Sequence, residues 1–323
     1  MLFSHVRSDG RALFHYPHQA HSVRVTGSFS GWSAEGHALD RTAYGFVGEV
    51  GPVPHGDVEY KLIVDGRWIA DPQNLSRRPD GFGGEKSVIH RGGGQGSVHH
   101  LELHSAALGD KRGYVVYLPP GHAEGRRSPV LYLLHGALDW ERTWIDKGDL
   151  AGTMDHLRHE GSVGEMIVVM PRDNGELFHG DGRYVDYLTR DLVGHIDHEF
   201  PTLGDARHRA IDGLSTGGFT SIVLGAWRTP LFRSVGSMSG CHDHRSFEAI
   251  RDHAHLMRGV DQRYRISWGN GEPHLGTCRA VAEDLARAGV HAEQSEGHGG
   301  HDWPLWRGAL AGHLRFHWNN IRP

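Results

Sequence analysis

Ser215 stands between two glycines in Gly213-Leu214-Ser215-Thr216-Gly217. A serine hydroxyl is a weak nucleophile by itself. It needs a base to take its proton, an acid to orient that base, and N–H donors for the oxyanion that forms. A Gly-x-Ser-x-Gly turn suits this chemistry when a strand precedes it and a helix follows. The serine then rides a sharp corner in a strained φ/ψ region, and neighbouring chain passes where glycine has no Cβ. A helix beginning at Thr216 also aims its N-terminal N–H groups at the serine. Taken alone, the same residues describe a glycine-rich turn with Ser215 capping a helix. Late in the chain, Glu296-Gly297-His298-Gly299-Gly300-His301-Asp302-Trp303 offers two imidazoles as the base, His298 and His301. Asp302 is poorly placed as the acid, because an adjacent residue cannot easily reach its neighbour's Nδ1.

A scaffold for such a site can be read from about residue 98 onward. Apolar runs at 129–136, 166–171, 209–211, 234–240 and 265–269 alternate with helical patterns at 149–159, 184–200, 216–227 and 277–288. Runs this apolar are buried on both faces, as in a parallel sheet. The alternation predicts an open α/β sheet with right-handed crossovers, preceded by a strand pair at 98–105 and 111–120. Ligands bind beyond the C-terminal ends of such strands. In the α/β-hydrolase arrangement the chain order is nucleophile, acid, histidine. The acid is therefore expected on the loop 267–273, ahead of the histidine loop and a final helix over 306–318. Thr216 N–H is one expected oxyanion donor. The second belongs to the loop Leu134-His135-Gly136-Ala137-Leu138-Asp139-Trp140. Arg172, Asp173, Asn174 and Phe178, after Val169-Met170-Pro171, are expected to help form the substrate pocket.

The first 95 residues read differently. Segments 23–26, 45–50 and 59–64 carry strand patterns, and turn clusters separate them. Asp65-Gly66 between two such runs signals a hairpin. Six or seven short strands at this spacing predict an all-β, immunoglobulin-like sandwich. Arg91-Gly92-Gly93-Gly94-Gln95-Gly96-Ser97 reads as a flexible join. The expected domains are therefore 1–95, a β-sandwich, and 96–323, the catalytic α/β domain.

Composition narrows the partners. The chain has 323 residues, a length that suits two domains, and a net charge of −5. That balance argues against nucleic acid or an anionic membrane as the main partner. No run approaches a membrane span, and the N-terminus shows no signal-peptide pattern, so a cytoplasmic enzyme is expected. Two cysteines make no disulfide framework. The 28 histidines include His242/His244 and His253/His255. No cysteine or carboxylate spacing completes a familiar zinc pattern around them, so no metal and no organic cofactor is expected.

Two resemblances sharpen these expectations. Gly27-Ser28-Phe29-Ser30-Gly31-Trp32-Ser33, Tyr60-Lys61-Leu62-Ile63-Val64-Asp65-Gly66-Arg67-Trp68 and Asp71-Pro72-Gln73-Asn74 resemble a family 48 carbohydrate-binding module, similar to the glycogen-binding domain of the AMP-activated kinase β-subunit. That resemblance implies a sugar platform of Trp32, Lys61 and Trp68. Indole faces stack on pyranose rings, and lysine donates to hydroxyls. The same residues could instead serve a packing domain. Farther on, Leu134-His135-Gly136, Gly-x-Ser-x-Gly and Gly299-Gly300-His301-Asp302-Trp303-Pro304-Leu305-Trp306 resemble the esterase family of feruloyl and acetylxylan esterases, S-formylglutathione hydrolase and enterochelin esterases. This resemblance selects His301 over His298. It aligns Glu272 with the acid position, where the family usually has Asp. It implies Ala137, with Leu138 close behind, as the second oxyanion donor, and it places Trp144 near the substrate.

The expected function is a serine carboxylic-ester hydrolase working through an acyl-enzyme on Ser215, of carbohydrate, feruloyl or acetyl type, on a small-molecule or carbohydrate ester. The alternatives are an enterochelin-esterase-like siderophore hydrolase and a non-catalytic glycan-binding protein on a hydrolase scaffold. The oligomeric state cannot be read from the sequence.

Overall fold

A computed structural model describes residues 3–7, 9–92, 94–120, 122 and 125–323. Met1, Leu2 and Ser8 of the N-terminal stretch and Gly93 of the glycine-rich run lie outside them. Contacts divide the chain into two compact units, residues 1–101 with 116–126 and residues 102–115 with 127–323.

In the first unit two antiparallel sheets share one core. One sheet orders strands His5–Val6, Ala12–Tyr16, Gly45–Val50 and Asp40–Thr42. The other orders His37–Ala38, Val23–Gly27, Gly56–Val64, Glu85–Arg91 and Arg77–Pro79, with Arg67–Ile69 paired to Gly56–Val64. Strand alternation explains the packing: Val23 and Val25 point inward and Arg24 outward. Phe14 and Phe46 from one sheet meet Val25, Tyr60 and Leu62 from the other. The expected hairpin forms at Asp65-Gly66, where both residues have positive φ (48° and 83°) and Val64 pairs with Arg67. Asp71 of the module-like motif is buried. Its Oδ2 accepts from Ser4 Oγ (2.6 Å) and Tyr60 OH (2.7 Å), so this motif residue holds the core together.

An eight-stranded sheet is built from strands between residues 97 and 297. Its strands are β1 (Ser97–Ser105), β2 (Asp110–Leu118), β3 (Val130–Leu134), β4 (Ile167–Pro171), β5 (Arg209–Gly213), β6 (Ser234–Met238), β7 (Arg263–Gly269) and β8 (His291–Gly297), in the order β1-β2-β4-β3-β5-β6-β7-β8. The pairs from β4 through β8 are parallel. Strands β3 through β6 are buried throughout, as the apolar runs of β3 and β4 predict, and β5 and β6 carry Arg209, Asp212, Ser234 and Ser237 into the interior with them. The longer helices are α1 (Leu150–His159), α2 (residues 183–199, with a π-helical turn at Tyr187–Leu192), α3 (Thr216–Trp227), α4 (His244–Gly259), α5 (Leu275–Arg287) and α6 (Trp303–Ile321). This is the expected α/β-hydrolase fold. Among the described residues, no helix is long and apolar enough to cross a membrane.

Two elements go beyond the sequence reading. Helix α4 buries only Ser246, Ala249, Ile250 and Met257, a stripe too thin to stand out among its histidines and arginines. Strand β8 is a polar edge strand, His-Ala-Glu-Gln-Ser-Glu-Gly. It is held by its register with β7, from Arg263 opposite His291 to Gly269 opposite Gly297.

Candidate active site

β5 delivers Ser215. The serine takes φ 55° and ψ −119°, a conformation that costs free energy for a residue with a Cβ. A Cβ at Gly217 would fall 2.4 Å from the His135 carbonyl oxygen, and one at Gly213 would fall 2.6 Å from the Gly217 carbonyl carbon. Both flanking positions therefore require glycine. Ser215 N–H donates to the Met238 carbonyl (2.9 Å), and the Ser215 carbonyl accepts from Cys241 N–H (3.1 Å). These bonds tie the corner to the end of β6. Ser215 occupies the N-cap position of α3, yet its side chain makes no capping bond. Its Oγ lies 2.9 Å from His301 Nε2.

His301 sits on the loop between β8 and α6. Its Nδ1 lies 3.1 Å from Glu272 Oε2. A carboxylate opposite Nδ1 puts the proton there and leaves Nε2 free to accept the serine O–H. The Glu272 side chain is excluded from solvent, and its Oε1 accepts from Gly269 N–H at the end of β7 (3.1 Å). The extra methylene of glutamate is taken up by this anchor. His298 is exposed and pairs with Asn270 instead (3.3 Å). Asp302 caps α6, accepting from Leu305 N–H (3.2 Å). Burial works against charge on His301, but hydrogen bonding with Cys241 and Glu272 outweighs it and pushes the imidazole up to about 9.

Thr216, Ala137 and Leu138 line a pocket of about 360 Å³ together with Arg172, Asp173 and Asn174. Leu138 has φ 66° and a fully exposed side chain. His135 braces this loop from below: its Nε2 accepts from Asp173 N–H (3.1 Å), and its Nδ1 donates to the Gly136 carbonyl (2.8 Å). Burial, with the Glu176 charge nearby, pushes the Asp173 carboxyl up to about 7. Trp144 is placed differently from its expected role. Its indole is fully buried, donates to the Leu134 carbonyl (3.2 Å) and meets Trp303 edge-on at 5.2 Å. It holds the end of β3 and does not line the pocket. Phe178 likewise packs edge-on against Phe219 (5.3 Å), with the Arg245 guanidinium 5.7 Å from its ring centre. Its neighbour His179 lines the pocket, as do Asp139 and Trp140.

Sequence reasoning missed Cys241 and His274. Cys241 Sγ lies 3.3 Å from Ser215 Oγ and 3.4 Å from His274 Nε2. His274 meets His301 edge-on at 4.9 Å. Both follow the C-terminal ends of strands, β6 and β7, which is the signal that could have found them. Below the corner, buried Asp212 accepts from His313 Nδ1 (2.6 Å) and His317 Nε2 (2.7 Å). The remaining ring nitrogens face Ser267 Oγ and Ser234 Oγ, each at 2.8 Å.

In the first unit, Trp32, Lys61 and Trp68 line one shallow pocket of about 260 Å³ with Asp80, Phe82 and Lys86. Lys61 is paired with Asp80, and Lys86 Nζ stands 5.9 Å from the Trp32 ring centre.

Residues 11–89 match the glycogen recognition site of AMP-activated protein kinase. Over 288 residues the chain is 28% identical to an endo-1,4-beta-xylanase/feruloyl esterase of Xylanibacter ruminicola, covering 80% of this chain and 38% of that protein. The chain spans about two-fifths of the length of the curated relatives it matches. A solved ferulic acid esterase superposes with TM-score 0.66 at 26% identity, over 71% of this chain and 100% of the other. The enterobactin esterase FES from Shigella flexneri superposes with TM-score 0.56 at 17% identity, over 96% of this chain and 93% of the other. Residues 105–317, about two-thirds of the chain, match the family described as "Putative esterase". The chain belongs to that esterase family.

Proposed function

We propose that this protein is a serine carboxylic-ester hydrolase. The observation that carries the reading is the continuous relay Glu272–His301–Ser215, with Ser215 held on a strained corner. Ser215 Oγ attacks the ester carbonyl while His301 Nε2 takes its proton, and Glu272 stabilises the imidazolium. The oxyanion forms at the pocket wall, where the amides of Thr216 and of Ala137 or Leu138 serve as donors. His301 then protonates the leaving alcohol, and water, activated by the same imidazole, releases the acid from Ser215.

The substrate class we favour is a carbohydrate ester of feruloyl or acetyl type. A relative whose name joins xylanase and feruloyl esterase supports it, as does the polar pocket wall of Arg172, Asp173 and Asn174. The shared pocket of Trp32, Lys61 and Trp68 supports glycan binding by the N-terminal unit. A siderophore ester is the second reading, favoured by the enterobactin esterase likeness that runs through both units. Ser215→Ala should reduce p-nitrophenyl acetate turnover to background, and retained turnover excludes Ser215 as the nucleophile. A panel of methyl ferulate, acetylated xylan and a catecholate trilactone separates the two substrate readings.

A further inference from the structure

Among the described residues, two clusters bring three possible metal ligands together: Asp212 with His313 and His317, and Cys241 with His274 and His301. The first is sealed, and its nitrogens are engaged by the carboxylate and by serine hydroxyls. The second is half-buried, open to solvent and chemically different. We infer that Cys241, His274 and His301 form a capture site for a thiophilic divalent cation such as Zn²⁺, which on binding shuts off the nucleophile at Ser215. The shut-off rests on the hydrolase reading above, whereas the binding does not.

The donors are already close. Cys241 Sγ and His274 Nε2 are 3.4 Å apart, and one donor atom from each of the three residues lies within 4.8 Å of the others. Tetrahedral zinc, with Zn–N of about 2.0–2.1 Å and Zn–S of about 2.3 Å, sets neighbouring ligands roughly 3.3–3.8 Å apart. Only small side-chain movements separate the two arrangements. Each ligand is also held from behind. The backbone of Cys241 is bonded to the Ser215 carbonyl, and His274 opens α5, where Cys278 N–H bonds its carbonyl at 3.0 Å. His301 has Nδ1 on Glu272 and Nε2 turned inward. A carboxylate on the far nitrogen of a ligating histidine is the support that metal sites use to fix ring orientation.

The ligand set selects the ion. One thiolate and two imidazoles suit Zn²⁺, Co²⁺ or Cd²⁺ and disfavour Mg²⁺ and Ca²⁺. On binding, Cys241 loses its thiol proton and a protonated His301 loses its Nε2 proton, both to solvent as the metal bonds form, so that both histidines bind as neutral rings. Ser215 Oγ, 3.3 Å from the sulfur and 2.9 Å from His301 Nε2, borders the fourth position. A metal on Nε2 removes the lone pair that would take the serine proton.

Co²⁺ titration of the full chain should give a thiolate-to-cobalt charge-transfer band that saturates at one ion per chain. Cys241→Ser should abolish the band, and His274→Ala should weaken binding by about tenfold or more. Cys278→Ala should keep it. In parallel, Zn²⁺ should slow fluorophosphonate labelling of the wild type reversibly, with EDTA restoring it. The ratio of labelling with and without Zn²⁺ should stay near one in Cys241→Ser. No band, or a band unchanged in Cys241→Ser, overturns the site. A band together with labelling that ignores Zn²⁺ overturns the shut-off. A band in a protein that fluorophosphonate never labels leaves the metal site standing and removes the hydrolase reading instead.

Discussion

Glu272 Oε2 lies 3.1 Å from His301 Nδ1, while the other oxygen of the same carboxylate accepts from the Gly269 backbone. The carboxylate is thus fixed at one end to β7 and at the other to the imidazole. Its side chain sees no solvent, so water cannot substitute for it. Glu272→Gln keeps the shape but presents an amide to Nδ1. We expect kcat to fall by about a hundredfold to ten-thousandfold with KM little changed, as for loss of the orienting acid in other triads. Glu272→Asp cannot span both partners and should fall between the two. Steady-state hydrolysis of p-nitrophenyl acetate gives both numbers.

The pH profile follows from His301. Burial opposes its charge, but Cys241 and Glu272 raise its pKa to about 9, above the ordinary 6.5. The base works only when deprotonated, so kcat/KM should rise with pH through that value, with the acidic limb displaced upward. Cys241→Ser removes one of the two raising partners, and the limb should move toward lower pH. A limb at the ordinary histidine position in wild type, unmoved by the substitution, contradicts this account.

Beneath the corner, Asp212 should matter for stability. Burial alone raises a carboxyl, but the His313 and His317 contacts outweigh it and hold Asp212 well below the ordinary 3.8. Its folded pKa lies below its unfolded one, so its contribution is present above pH 3.8 and lost as pH falls further. Asp212→Asn leaves one of two buried histidine N–H groups without an acceptor. We expect a loss of about 3–5 kcal/mol at neutral pH, read from denaturant unfolding, and a narrowing gap to wild type in acid.

The N-terminal pocket gives a prediction independent of catalysis. Trp68 is 42% exposed in a wall shared with Trp32 and Lys61, so its removal should not disturb the sandwich core. Trp68→Ala should weaken malto-oligosaccharide binding by about tenfold, roughly 1.4 kcal/mol. Calorimetric titration checks this, with thermal unfolding as the control for folding. Equal affinity in wild type and variant rules out the platform.

The sequence made the chemistry of the site easier to read than its walls. Helix α3 was legible at both ends because a glycine corner opens it and its interior is apolar on every side. Chain order and loop position narrowed the base to His298 or His301 and the acid to the loop 267–273, and the esterase resemblance then singled out His301 and Glu272. Trp144 shows the limit. Its place after the Leu-His-Gly motif is visible in the sequence, but which way the ring turns is not, and the ring turns into the core. Strand β8 was hidden because an edge strand with solvent on its outer side needs no apolar run. Cys241 and His274 stayed invisible as a pair because they meet only through the adjacency of β6 and β7.

The dihedral angles at Ser215 have a consequence for how this chain tolerates change. They describe backbone territory in which glycine would be more comfortable than serine. Ser215→Gly should therefore melt at a higher temperature than the parent while hydrolysing nothing. Backbone comfort and nucleophilic chemistry thus make opposite demands on the residue at this one position.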